Sequence, residues 1–196
     1  MGQSKALMEK IAQATARESD GTGTRITITR YGNVMMSRGS VIPIFLDQAK
    51  RGLDLTITNP KMTRFMMSLE ESVELVLYAL QNGENGDLFV QKAPATSMEN
   101  LAEAIIEQYG DRKVSRIKVV GIRHGEKMAE TLLSTEEMSA AIDQGDYFKL
   151  PLDKRTMNYQ SGESRGDLKL DQPAFTSDNT QQLSVQEVKD LIARLL

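Results

Sequence analysis

Thr24–Phe45, TRITITRYGNVMMSRGSVIPIF, is the stretch whose texture decides the fold class. It opens with Ile26 and Ile28 alternating against Thr27 and Thr29, the period-2 pattern of a β-strand. The strand runs into Arg30-Tyr31-Gly32-Asn33-Val34, where glycine frees the backbone and asparagine offers both a donor and an acceptor. Ser37-Arg38-Gly39-Ser40 follows as a small polar turn with one fixed positive charge. The apolar run Val41-Ile42-Pro43-Ile44-Phe45 then starts a new element. Open α/β sheets hold their ligands where a strand gives way to such a loop.

Composition bounds the rest. The chain has 196 residues, 40% hydrophobic and 26% charged, with a net charge of −3. No run approaches the ~20 apolar residues of a membrane span, and Met1-Gly2-Gln3-Ser4-Lys5 has no apolar segment behind it to act as a secretory signal. Cysteine and tryptophan are absent and only one histidine occurs. Disulfides and thiolate metal sites are excluded, no metal site is expected, and a reducing, cytoplasmic setting fits. Scattered basic residues argue against a nucleic-acid footprint.

Working outward, residues 3–18 read as a helix with Leu7, Met8, Ile11, Ala14 and Thr15 on one stripe, closed by Asp20-Gly21-Thr22-Gly23. After the opening strand, Phe45–Lys50 reads as a short helix and 54–58 as a short strand. Residues 62–67 read as extended. Ser68 and Glu71 form a capping box for a helix through about Asn82, which carries Val73, Val76, Leu77 and Leu80 on one face. Strands are expected at 87–91 and 114–121, and helices at 98–109 (capped by Ser97), after Ser134, and at 185–195. The polar, glycine-bearing segment from Asp146 to about Asp178 reads as an extended arm, which divides the chain into 1–145 and 146–196. Strands alternating with helices mean an α/β layer structure. Only three or four strands are expected, and no Gly-x-Gly-x-x-Gly phosphate loop is present. The chain therefore reads as the second half of a larger α/β fold.

Arg38, Arg64 and Arg123 all sit where a strand passes into a loop. A guanidinium is a rigid, permanently charged fork suited to phosphate oxygens. Glu126, three residues after Arg123 and next to Gly125, is placed to accept two ribose hydroxyls. A surface ion-pair network is the alternative for these groups. His124, a lone histidine between Arg123 and Gly125, is better suited to structuring its loop than to acting as a base. Lys5, four residues after Met1, faces the same side of a helix; it either holds a ribose hydroxyl or is an ordinary solvated lysine. Met1 has no titratable hydrogen. The methionines at 35, 36, 62, 66 and 67 read as core.

RYGNVMMSRGSVIPIF, MTRFMMSLEESVELVLYAL, GDLFVQKAP, GIRHGEKMAETLLS and SDNTQQLSVQEVKDLI, in that order, resemble the capsule and flagellin-glycan UDP-N-acetylglucosamine 4,6-dehydratases. These inverting dehydratase/5-epimerases belong to the extended short-chain dehydrogenase/reductase superfamily. The likeness runs almost end to end and implies the C-terminal part of an NAD(P)-binding, Rossmann-like fold with a small α/β substrate-binding region. Met1 and Lys5 match the superfamily's Tyr-x-x-x-Lys pair, so the resemblance makes them the catalytic candidates. It puts Lys5 and Tyr31 on the NADP side. It assigns Arg64 and Arg123 to the diphosphate of a UDP-sugar, Glu126 to the ribose, and Val41 to Pro43 to the uracil. Asn33, Arg38 and Ser40 complete the substrate side. The implied reaction takes a hydride from C4 of the sugar, eliminates water across C5–C6 and returns the hydride to C6, so the cofactor is regenerated within a turnover. The glycine-rich loop, the first βαβ units and an upstream Asp-Lys pair are absent from the sequence. The expectation is a truncated chain with little or no activity alone, homo-oligomeric or completed by an N-terminal partner segment. A UDP-hexose 4-epimerase fragment and a non-catalytic UDP-sugar-binding module are the alternatives.

Overall fold

The computed structural model describes residues 2–19, 21–153 and 172–196. In chain order the elements are α1 (Gly2–Glu18), β1 (Ile28–Arg30), α2 (Val41–Lys50), β2 (Leu55–Ile57), β3 (Thr63–Phe65), α3 (Leu69–Asn82), β4 (Leu88–Gln91) and β5 (Ala95–Ser97). There follow α4 (Met98–Tyr109), β6 (Ile117–Val119), β7 (Thr131–Leu133), α5 (Thr135–Ala140), β8 (Ile142–Asp143), β9 (Tyr147–Leu150), β10 (Phe175–Thr176) and α6 (Val185–Leu195). The architecture is mixed α/β, as expected, but its strands are more numerous and shorter than the sequence suggests. Two compact units divide the chain: Met1–Tyr31, Val73–Lys92 and Leu132–Phe175 form the first, and Gly32–Ser72, Ala93–Thr131 and Thr176–Leu196 the second.

The first unit is built on a four-stranded sheet in the order β1-β4-β9-β8. β1 and β4 are parallel, with Ile28 opposite Leu88 and Arg30 opposite Val90. Leu88, Phe89 and Val90 are fully buried, the continuous apolar run of a central strand covered on both faces. β9 pairs antiparallel with β4, Leu150 opposite Leu88 and Tyr147 opposite Gln91. Tyr147–Leu150 is thus a sheet strand, not part of an arm; residues 154–171 of the expected arm lie outside the described residues. Its apolar contacts hold it there: Tyr147 stacks on Tyr78 at 4.1 Å, and Tyr78 meets Phe89 edge-on. Gly83 follows the last residue of α3 as expected, and the position admits only glycine: a Cβ there would stand 2.6 Å from the Ala79 carbonyl oxygen.

Periodicity located the apolar stripes on α1 and α3 but not their direction. α3 buries Leu75 and Ala79 and leaves Val73, Val76, Leu77 and Leu80 exposed; α1 buries Ala16 and exposes Leu7, Met8 and Ile11.

In the second unit α2 and α4 pack with the parallel pair β2·β6, and α6 packs on α4; the register sets Leu55 opposite Ile117 and Ile57 opposite Val119. Phe45, Leu55, Ile57, Met62, Leu101, Ile105 and Ile192 fill its core with the other buried methionines. Helix starts follow the sequence signals. Ser184 and Glu187 make a reciprocal capping box for α6, and the Ser97 hydroxyl accepts from the Asn100 amide at 3.1 Å. Two boundaries differ from expectation. α2 begins at Val41, not Phe45, because proline is tolerated in a helix's first turn, where its missing N–H costs nothing. The strand expected over 114–121 narrows to Ile117–Val119, with Val114 and Ser115 taken up by a turn on the Asp111 carbonyl. No helix among the described residues is long and apolar enough to cross a membrane.

Candidate functional site

The second unit gathers polar groups at the carboxyl ends of β2 and β6. Thr58, one residue past β2, donates from its hydroxyl to Glu126 Oε1 at 3.4 Å. The chain leaving β6 turns at Gly121 and Gly125, both at positive φ, so the Arg123 amide donates to Glu126 Oε2 at 3.2 Å. Arg64, the middle residue of β3, points into the same cluster. Its guanidinium lies 3.9 Å from Glu126 and 3.6 Å from Glu130, and it donates to the carbonyl oxygens of Thr63 (2.7 Å) and Lys127 (3.1 Å). Only 13% of that side chain is exposed. Arg64 therefore spends its donors inside the protein and anchors the 123–130 loop. Arg123 is the reverse case: it is exposed, and its guanidinium has no partner among the described residues.

β3 is held beneath this loop by a buried hydroxyl pair, Thr63 Oγ1 and Ser177 Oγ at 2.8 Å, with Ser177 also accepting from the Glu130 amide. Sequence reasoning missed Thr58 and Glu130. The only local signal for Glu130 is its position four residues after Glu126.

The Gly32–Pro43 segment begins with a glycine, where a Cβ would lie 2.8 Å from the Cβ of Phe65. This is why the turn demands glycine. Asn33, Arg38 and Gly39 are exposed. Met36 adopts φ 61°, the left-handed region that favours glycine. Ser40 is the N-cap residue of α2, with extended backbone, yet its side chain makes no capping bond. Pro43 explains this. It stands at the third helical position and has no N–H for the serine to accept. The Ser40 hydroxyl is buried and unpartnered. Ile42 is buried in the core, whereas Val41 and Pro43 are half-buried.

In the first unit Lys5 is exposed on the first turns of α1, and Tyr31 is 43% exposed beyond β1. Met1 lies outside the described residues. The charged hub of this unit is a residue to which the sequence reading gave no role. Arg30 forks to both oxygens of Glu9 (3.0 and 2.6 Å) and both of Glu137 (2.8 and 2.9 Å), and also donates to the Leu132 carbonyl at 2.7 Å. Burial works to lower the Arg30 pKa, but its bonds to Glu137 and Glu9 outweigh this and hold it above the usual arginine value. Burial likewise pushes Glu137 up, and the hydrogen bonds it accepts from Arg30 and from the Ser134 amide more than reverse this, leaving the carboxyl below the ordinary range. This fork ties the helix that carries Lys5 to β1, the strand that ends one residue before Tyr31.

No group of three or more metal-ligating side chains occurs among the described residues. For a nicotinamide dinucleotide, Lys5 and Tyr31 are the side chains on offer, and no glycine-rich pyrophosphate loop accompanies them. These residues do not make up a dinucleotide cradle.

A model of the polysaccharide biosynthesis protein family matches residues 1–151, and a model of the C-terminal region of such proteins matches 153–196. The chain belongs to this family. Among curated members, a UDP-glucose 4-epimerase of Rickettsia canadensis is 50% identical across the whole chain, and one of Rickettsia prowazekii 51%. The chain spans 57% of the length of each. Of the solved structures, Pen from Bacillus thuringiensis superposes with a TM-score of 0.83 at 31% identity, over 99% of this chain and 56% of that one. A dTDP-glucose 4,6-dehydratase from Bacillus anthracis, in complex with NAD, matches with a TM-score of 0.51 at 18% identity over 61% of this chain and 40% of that one, a likeness of fold alone. The α/β fold is accordingly that of the Rossmann-like extended short-chain dehydrogenase/reductase proteins.

Proposed function

We propose that the second unit binds the nucleoside-diphosphate end of a UDP-sugar, as part of an enzyme that modifies the sugar. The carrying observation is the convergence of the loops after the parallel strands β2 and β6 on Glu126, with the Arg123 guanidinium left free beside them. Arg123 takes the diphosphate, Glu126 accepts from the ribose, and Arg64 supports both from beneath while adding positive potential. Asn33, Arg38 and the uncapped Ser40 hydroxyl line the sugar-diphosphate side, with Val41 and Pro43 against the base. The sequence resemblance gives Lys5 and Tyr31 to a nicotinamide cofactor, NADP, for which these two side chains alone supply no cradle.

For the whole enzyme the sequence motifs favour a UDP-N-acetylglucosamine 4,6-dehydratase/5-epimerase of bacterial polysaccharide biosynthesis. The name carried by the Rickettsia relatives favours a second reading, a UDP-glucose 4-epimerase. Product analysis separates them, since the epimerase leaves the 6-hydroxyl intact.

Calorimetric titration with UDP-N-acetylglucosamine tests the site itself. Arg123→Ala should cost about 1.5–3 kcal/mol, the worth of a charge-assisted bond. An unchanged affinity would remove Arg123 from the site.

A further inference from the structure

At the amino end of β6, away from the loops just described, the second unit holds a cleft of 310 Å³ lined by Glu103, Ile106, Arg112, Ser115, Arg116 and Ile117. β6 separates the two places: Ile117 at its start lines the cleft, and the loop after Val119 carries Arg123.

Three polar side chains here have bonding capacity that the fold does not use. Ser115 is only 3% exposed and its hydroxyl has no partner. A buried hydroxyl that bonds nothing is rare and marks a missing partner. Arg116 uses its backbone amide, which donates to Asp54 Oδ1 at 3.1 Å, but its guanidinium has no partner among the described residues. The half-buried Glu103 carboxylate has none there either. Arg112 differs, because Glu107 holds it and Glu107 also takes Lys189 at 2.5 Å. The floor is aliphatic, from buried Ile106 and half-buried Ile117.

Each group narrows the ligand. Arg116 asks for an anionic oxygen and Ser115 can donate to the same group. Glu103 repels a bare anion but accepts from hydroxyls. The isoleucines offer a surface for C–H groups. A cleft of this volume lies at the small end of the ~300–1,000 Å³ range of ligand sites, enough for one ring. We infer that the cleft is a second small-molecule site, for a monosaccharide bearing one anionic group. A sugar phosphate and a sugar acid share that chemistry.

Amide shifts in a ¹⁵N-labelled sample of the chain, titrated separately with glucose 1-phosphate, glucuronate, inorganic phosphate and glucose, test this. Shifts over 103–117 with either sugar anion support the inference, and the stronger of the two identifies the source. Arg116→Gln should weaken that ligand about tenfold or more, as loss of a charge-assisted contact does. Glu103→Gln should weaken the sugar anion and leave inorganic phosphate unchanged or tighter. Saturating UDP should leave the shifts in place, so the result stands or falls apart from the UDP-sugar reading. Absence of shifts with a dissociation constant below about 10 mM, shifts removed by UDP, or affinity indifferent to Arg116→Gln in a variant of unchanged melting temperature would each overturn it.

Discussion

Ser40 and Arg30 show how single residues divide stability from function. Ser40 occupies an N-cap position without capping, because Pro43 removes the acceptor's partner. Ser40→Ala should therefore leave the melting temperature nearly unchanged, where an N-cap serine that does its usual work is worth about 1 kcal/mol. The same substitution should weaken UDP-sugar binding measurably, and a stability loss without a binding loss would return Ser40 to a structural role. Arg30 is the opposite case. Arg30→Met strands two carboxylates that are each about a quarter or less exposed. Breaking a buried pair costs ~3–5 kcal/mol, and partial exposure here brings the expected loss to about 2–3 kcal/mol by denaturant unfolding. The pH dependence follows from Glu137, whose carboxyl is held below its ordinary value. A depressed carboxylate contributes stability that is present above the unfolded-state value of about 4.3 and is lost as pH falls through the folded-state one. The wild type should accordingly lose stability below pH ~4 more steeply than Glu137→Gln. Parallel acid-unfolding curves would contradict the fork's role.

At the scale of elements, helices with local start signals were legible and paired strands were not. The Ser184–Glu187 and Ser68–Glu71 boxes announce α6 and α3, and their bonds form as read. β9 was not read because most of its pairing is with β4, far away in sequence, and its local partner β8 is only two residues long. The expected helix started at Phe45, after Pro43, whereas Pro43 serves as a first-turn residue of a helix that begins at Val41. The Arg30 fork joins residues 21 and 107 positions away, a spacing that carries no local periodicity. Of the substrate-side residues, the arginines were visible as a type, but their expected place at strand exits holds only for Arg123, since Arg64 is the middle residue of β3 and Arg38 lies in the turn before α2. Which of them stays free was not visible: folding commits Arg64 to the interior and leaves Arg123 outside. The stripes on α1 and α3 were found by period, but a period does not say whether a stripe faces protein or water.

For the whole molecule those stripes have a consequence. Leu7, Met8 and Ile11 on α1 and Val73, Val76, Leu77 and Leu80 on α3 are exposed large apolar side chains of the first unit, the kind of surface that favours association. Self-association of the chain at micromolar concentration is the expected outcome, measured by sedimentation velocity. Val73→Glu with Leu77→Glu should shift the population toward monomer without lowering secondary structure. A wild-type chain that stays monomeric and melts in one sharp transition would contradict this.

The claim on which the functional reading rests is that the loops leaving β2 and β6 present Arg123 to a diphosphate. Its most direct test compares uridine with UDP as ligands for wild type and Arg123→Ala by calorimetry. UDP should bind the wild type at least about tenfold more tightly than uridine, and Arg123→Ala should erase most of that preference while leaving uridine binding unchanged. A preference for UDP that survives the substitution intact would place the diphosphate elsewhere.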